Sequence, residues 1–288
     1  MNGKVLVLGA TGLVGGGVAA RLAGAGRKVR AATRRPDSHG SGHGGGMEWV
    51  EFDLERPDTF PGALEGVDRA FLIARPGDEH SDRWSIPLID AMKARGVRQV
   101  CNLTAMGTEM RPDFALRKIE LHLEDSGLQF THLRPNWFMQ MLASGTVQAQ
   151  VRAQGIFALP AADAKISYID AADISEVAAR VLSTDGHAGR AYTLTGPQAL
   201  SHDGIARILS VASGREIRYV PLGEDAARAA LGRAGFPPEW VERLVVFYRL
   251  IRAGYCEPVT PDVETVLGRP ATPLAAFAEA HAGAWRTA

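Results

Sequence analysis

Residues 4–9 (KVLVLG) carry apolar side chains at successive positions with almost no polar alternation, the pattern of a strand buried on both faces of a sheet. From residue 11 to 26 the period changes. Val14, Val18 and Leu22 recur every fourth position, which predicts a helix behind a glycine-rich turn. Further apolar runs predict strands over 28–33, 47–53, 70–74, 97–103 and 129–133. Helical spacing occupies 86–95 and 114–126, the latter stopped by Gly127. Strands and helices alternating in this way form βαβ units around a parallel sheet, because a parallel neighbour needs a crossover that a helix supplies.

The second half is less regular. Strands are predicted over 155–160, 165–168, 191–194 and 216–220, and helices over 171–182, 201–212 and 239–252. Ser201 is suited to cap the second of these helices, since its hydroxyl can accept from a free first-turn N–H. The expected class is α/β: a Rossmann-type, doubly wound parallel sheet over residues 1–154, then a smaller, irregular α/β region over 155–288. That second region would bind the substrate, with some segments returning to the first sheet. The Gly/Ser-rich stretch 36–46 (PDSHGSGHGGG) is expected to be a solvated loop, too pliant for His39 and His43 to suggest a metal. No metal ligand set is assigned.

With 32 basic and 32 acidic residues among 288, the formal net charge is zero. A nucleic-acid protein would usually carry a basic excess or stripe, so no nucleic-acid partner is expected. Hydrophobic residues at 46% and charged ones at 22% describe an ordinary folded chain. Two cysteines, Cys101 and Cys256, are too few for a disulfide scaffold or most zinc frameworks, which points to a reducing, cytoplasmic home. The uncharged run between Lys4 and Arg21 is shorter than the roughly 18 apolar residues of a membrane span, and its glycines fit a strand–turn–helix better than a signal peptide. A soluble monomer or homodimer with a small-molecule partner is expected.

Gly9, Gly12 and Gly15 are spaced by three immediately after the first strand and at the opening of the first helix. Glycine there permits positive φ and close backbone approach, and the helix N-terminus offers free N–H groups to a pyrophosphate. A tight turn without a ligand would use the same residues; the position at the first βα turn favours the phosphate. The second strand ends in Thr33-Arg34-Arg35, where an NAD site would carry an acid for the ribose hydroxyls. Arginine instead matches a 2′-phosphate, so NADPH is the expected cofactor with Arg34 as its main contact, although a pair of solvated arginines would read alike. Asp53, closing the third strand, is placed either to accept from an adenine amino group or to cap the next turn.

Together these residues resemble the short-chain dehydrogenase/reductase superfamily, and more closely its atypical NmrA-like branch. Gly9-x-x-Gly12-x-x-Gly15 is similar to the glycine signature of that branch, Asp53-Leu54 to its adenine-site pair, and Ile73-Ala74-Arg75-Pro76 to the end of its fourth strand. Ser126-Gly-Leu128 followed by Leu133-Arg-Pro135-Asn136-Trp137-Phe138-Met139-Gln140 resembles its most specific segment, and residues 168–174 resemble the stretch that returns to its smaller domain. The C-terminal stretch around Gly254 and Val259 to Asp262 is similar to bacterial members related to triphenylmethane reductase and NADPH-dependent quinone reductase. The resemblance implies a cofactor site of Gly9, Thr11, Gly12, Leu13, Val14, Gly15, Thr33, Arg34, Asp53, Leu54, Ala74, Arg75, Pro76, Pro135, Asn136, Trp137 and Phe138.

The resemblance also exposes a departure. The superfamily's Tyr-x-x-x-Lys becomes Phe114-Ala-Leu-Arg-Lys118, so the lysine is kept and the proton-donating tyrosine is not. By resemblance Lys118 reaches the nicotinamide ribose, and Thr104 stands at the family's serine position as a second catalytic candidate; a helix-surface lysine and a strand-end threonine satisfying its own backbone are the bland alternatives. His122 could donate a proton, or simply pack. Met106, Phe114, Met139 and Met141 are candidate pocket residues, a role they share with ordinary core packing. The expected function is an NADPH-dependent reductase of a conjugated, quinone-, enone- or aromatic cation-like molecule, which can take a hydride without an enzyme tyrosine. A non-catalytic NADPH sensor of the NmrA type is the alternative, and an epimerase-like reaction a third that normally needs the missing tyrosine.

Overall fold

The computed structural model describes residues 3–39, 47–74 and 78–286. Two compact units divide the chain: unit 1 comprises residues 1–135, 171–194 and 262–269, and unit 2 comprises 136–170, 195–261 and 270–288.

Unit 1 is built on a seven-stranded sheet of β1 (Lys4–Val7), β2 (Val29–Thr33), β3 (Met47–Glu51), β4 (Val67–Ile73), β5 (Gln99–Leu103), β6 (Gln129–Pro135) and β9 (Arg190–Leu194). Their order is β3-β2-β1-β4-β5-β6-β9, and all neighbouring pairs run parallel. Successive strands depart from β1 in opposite directions, so the carboxyl ends of β1 and β4 flank the topological switch point where ligands of such sheets bind. Val5, Leu6 and Val7 are fully buried because helices cover both faces.

On one face α1 (Leu13–Gly24) packs against α6 (Ala171–Ser183). The approach is close enough that a Cβ at Gly17 would stand 2.5 Å from Ser175 Oγ, and that hydroxyl donates to Val14 O at 3.1 Å. Buried Arg69 of β4 donates to Leu182 O at the end of α6 and pairs with Asp185, satisfying carbonyls the helix leaves open. On the other face α2 (Phe60–Ala63), α3 (Asp82–Ala94) and α4 (Ala115–Asp125) bury Leu88, Ile89, Met92, Ile119 and Leu123 in one cluster with Leu6 and Leu72. Short α10 (Asp262–Leu267) returns to this unit, Asp262 accepting from Thr193 N at 2.7 Å while Arg269 pairs with Asp173 and Glu176.

Unit 2 contains α5 (Gly145–Gln154), β7 (Ile156–Leu159), β8 (Lys165–Ile166), β10 (Leu200–Ser201), α7 (His202–Ser213), β11 (Arg218–Pro221), α8 (Glu224–Arg233), α9 (Pro238–Arg252) and α11 (Leu274–Ala280). β7 pairs with β11 in parallel, and β8 with β10 antiparallel. Ser201 caps α7, its hydroxyl accepting from Gly204 N at 3.2 Å. The boundary falls after Pro135 rather than after residue 154. Met139, Leu142, Val147 and Val151 explain the difference, because they pack into the unit 2 core with Phe157, Phe277 and Trp285. Among the described residues no helix is long and apolar enough to cross a membrane.

Candidate functional site

The turn between β1 and α1 shows three different reasons for three glycines. Gly9 adopts φ +64°, a conformation side chains disfavour, and its carbonyl accepts from Gly12 N at 2.8 Å. A Cβ on Gly15 would lie 2.3 Å from Gly9 O, so the helix can approach the strand end only through glycine. At Gly12 the nearest atom to such a Cβ is 3.2 Å away, and φ is an ordinary −95°. The loop therefore tolerates a small side chain at Gly12 far better than at Gly15, and what Gly12 keeps open is the front of α1. That helix has no side-chain cap and no acid in its first turn, which leaves its leading N–H groups and positive end for an anion. Thr11 and Leu13 are exposed beside the loop, and Val14 is buried beneath it.

At the end of β2, Thr33 Oγ1 accepts from Arg35 N at 3.3 Å, shaping the turn from which Arg34 projects exposed. No carboxylate pairs with Arg34 among the described residues. Asp53 has one carboxylate oxygen accepting from Glu55 N at 3.1 Å, so it caps the next turn, and Leu54 packs on the core. Ala74 is buried at the end of β4, and Arg75 and Pro76 lie outside the described residues, as does His43.

α4 begins at Phe114, its N-cap, whose ring lies 4.0 Å beneath the Arg111 guanidinium carbon. Lys118 follows one turn later, half exposed, with Nζ 3.6 Å from Asp82 Oδ2 on α3. His122, a further turn on, is held 2.7 Å from Asp90 Oδ1. Met106, partly buried after β5, donates its backbone N–H to Pro135 O.

Thr104 departs from the expectation of a catalytic hydroxyl. It is buried and donates to Glu120 Oε1 at 2.8 Å, and a hydroxyl committed to a buried carboxylate has no second proton to give. Glu120 itself has no exposed surface. It accepts from Arg134 Nε and Nη2 at 2.9 and 2.8 Å and from Arg117 Nη1 at 2.9 Å. Burial works against its charge, but the Arg134 bonds and surrounding positive charge hold its carboxyl below the usual range. Neighbouring His132 is kept neutral by burial, its pKa lowered. Glu120, Glu124 and His132 place ligand atoms within 4.8 Å of one another, yet Arg117 Nη1 lies 2.9 Å from Glu120 and 2.6 Å from Glu124. A guanidinium already holds the cation's place. This network, which the sequence reading missed, locks α4 onto β6 two residues after Lys118.

In unit 2, Asn136 is buried and spends its amide on Ser167 Oγ (2.8 Å) and Cys256 O (2.9 Å), while its Oδ1 accepts from Trp137 N (2.9 Å). That consumes the hydrogens a nicotinamide carboxamide would accept, so Asn136 shapes its own segment instead. Met139 is a core residue and Met141 a surface one; Trp137 and Phe138 are partly exposed. The apolar stripe thus splits by environment, and Met139 in particular is withdrawn from a pocket role by its burial.

The NmrA-like family model matches residues 1–278. The NAD(P)H azoreductase of Xenophilus azovorans is 34% identical over 291 residues, covering 99% of this chain and all of that protein. The NADPH-dependent quinone oxidoreductase of Escherichia coli, solved with NADPH, is 26% identical with a TM-score of 0.86, covering 96% of this chain and 98% of that one. The Citrobacter sp. triphenylmethane reductase solved with NADP(H) shares the fold at 22% identity, with a TM-score of 0.84 and coverage of 97% and 99%.

Proposed function

This chain belongs to the NmrA-like family, and from that premise we propose that it is an oxidoreductase delivering the hydride of NADPH to a conjugated acceptor, quinone-, enone- or aromatic cation-like, without a catalytic tyrosine. The observation that carries the reading is the β1–α1 turn: Gly15 closes onto Gly9 O, Gly12 leaves the uncapped front of α1 open, and Arg34 has no carboxylate partner among the described residues. These residues fit a dinucleotide. Leading N–H groups of α1 would receive the pyrophosphate, and Arg34 the 2′-phosphate by a charge-assisted fork. The relatives support the same reading, since proteins of nearly identical extent are named for NAD(P)H-dependent azo and NADPH-dependent quinone reduction.

Bound NADPH supplies the hydride. The chain's own residues bind and orient: α4, fixed by Glu120–Arg134, presents Lys118 as a positive group that favours charge developing on the acceptor. Phe114 has no exchangeable proton, and the Thr104 hydroxyl is committed as a hydrogen-bond donor to the Glu120 carboxylate. A quinone that gains a hydride becomes a hydroquinone anion, stable enough to take its proton from solvent. A simple ketone would need that proton as the hydride arrives. Monitoring NADPH consumption with a quinone and with a plain ketone at matched concentration tests the proposal: turnover confined to the ketone would refute it.

A further inference from the structure

Helices α7 and α11 of unit 2 pack against each other, and both carry apolar residues on the side where a surface helix is ordinarily polar. Their inner faces supply Ile205, Ala206, Leu209, Leu274, Phe277 and Ala278 to the core. Outside that set, α7 shows Ile208, Val211 and Ala212 over its second half, and α11 shows Ala275, Ala276 and Ala280. Val211 is 84% exposed, more than any other large hydrophobic side chain among the described residues. A lone exposed valine would mean little. This one lines a shallow groove of about 220 Å³ together with Arg207, Ile208, Ala212, Ala275 and Glu279, so the apolar surface is continuous. The small alanines of α11 would let a further helix approach closely.

The two charges in the groove indicate what covers it. Arg207 stands on α7 and Glu279 on α11, both exposed, and neither side chain has an ion pair or hydrogen bond among the described residues. Elsewhere in unit 2, Arg228, Arg249 and Arg252 all pair with Glu224. An apolar face with one cation and one anion on separate helices is its own complement. A twofold axis through it can bring Arg207 of each copy to Glu279 of the other, because an isologous contact sets residue i on j and j on i. A strongly basic or acidic partner would instead call for a face of a single sign. Helices of 12 and 7 residues offer only a modest contact, which suits an association that depends on concentration.

We propose that the α7–α11 face of unit 2 joins two copies of this chain in an isologous dimer, the stripe of Ile208, Val211 and Ala275 packing on its own copy and Arg207 of each chain pairing with Glu279 of the other. The dimer is independent of the reductase reading, so failure of either leaves the other intact. Sedimentation velocity and light scattering on the full chain, from about 1 to 100 μM, bracket a micromolar dissociation constant. Wild type should pass from one to two copies over that range. Val211→Glu, Arg207→Glu and Glu279→Arg should each weaken the dimer by about tenfold or more, the charge variants because like charges then face each other twice. Circular dichroism melts establish that each variant is folded, and if Val211→Glu melts early the two exposed charge variants carry the test. An equimolar mixture of Arg207→Glu and Glu279→Arg should recover the mass of two chains, since both contacts between unlike copies then join opposite charges. No pairing within one chain can give that recovery. A wild type that stays single, a mass above two copies, variants that dimerise like wild type, or a mixture that stays monomeric would each overturn the proposal.

Discussion

Glu120 and Arg134 are joined by two parallel hydrogen bonds of 2.8 and 2.9 Å, the carboxylate without solvent contact and the guanidinium nearly so. Lys118 lies two residues before Glu120 on the same helix, so this pair sets where the lysine stands. Removing one partner of such a pair leaves the other charge buried alone. Glu120→Ala should cost on the order of 3–5 kcal/mol by urea unfolding. A loss within experimental error would mean the network is solvated and positions nothing.

Gly12 and Gly15 look alike in sequence and should behave differently. Gly12→Val should leave a folded protein with NADPH affinity lowered at least ~tenfold, because the side chain takes the pyrophosphate's space. Gly15→Ala drives its Cβ to 2.3 Å from Gly9 O and should lower the melting temperature as well. Circular dichroism melts and NADPH titration separate the two, and identical behaviour would contradict this division of roles.

NADPH should stabilise the protein more than NADH does. Arg34→Ala should abolish that preference with a loss of about 1–3 kcal/mol in NADPH binding, the worth of a charge-assisted contact. Equal thermal shifts for the two nucleotides in the wild type would leave Arg34 a mere surface residue.

His202 supplies a pH dependence. It is fully buried, its ring tilted by 30° against Tyr219 at 5.0 Å, and burial lowers its pKa to about 4. The unfolded chain binds a proton near pH 6.5 while the folded one resists, so the stability is complete above that value and lost as pH falls towards 4. The contribution is on the order of 3 kcal/mol. Unfolding midpoints at pH 7 and 4.5 should converge in His202→Leu relative to wild type, and an unchanged difference would exclude His202 as the source. Glu120, whose folded pKa is depressed, adds its loss at lower pH, below the ordinary carboxylate range.

The parallel sheet was legible because its strands are buried on both faces and read as unbroken apolar runs, as the Val5–Val7 part of β1 and the Ala70–Ile73 part of β4 do. The unit boundary was not, since Met139, Leu142, Val147 and Val151 carry no sign of which core they enter. α11 escaped notice because its alanines give little periodic contrast, although Leu274, Phe277 and Ala278 are buried. In the site, the glycine turn could be read from spacing alone. Glu120 could not: its partners Thr104 and Arg134 lie on neighbouring strand ends, 16 and 14 residues away, and only folding brings them to one carboxylate. The hint available was two ionisable residues, His132 and Arg134, inside the interior strand β6.

The central claim, that hydride transfer proceeds here without a tyrosine, is tested most directly by following NADPH oxidation in wild type, Phe114→Leu and Lys118→Ala with a quinone and a plain ketone. The expected result is quinone turnover that survives Phe114→Leu and falls sharply in Lys118→Ala, with ketone slower by ~10²–10⁴-fold, the usual worth of general-acid help. Efficient ketone reduction by the wild type, indifferent to Lys118→Ala, would contradict the account. NADPH binding with no oxidation by any acceptor would instead favour a cofactor sensor.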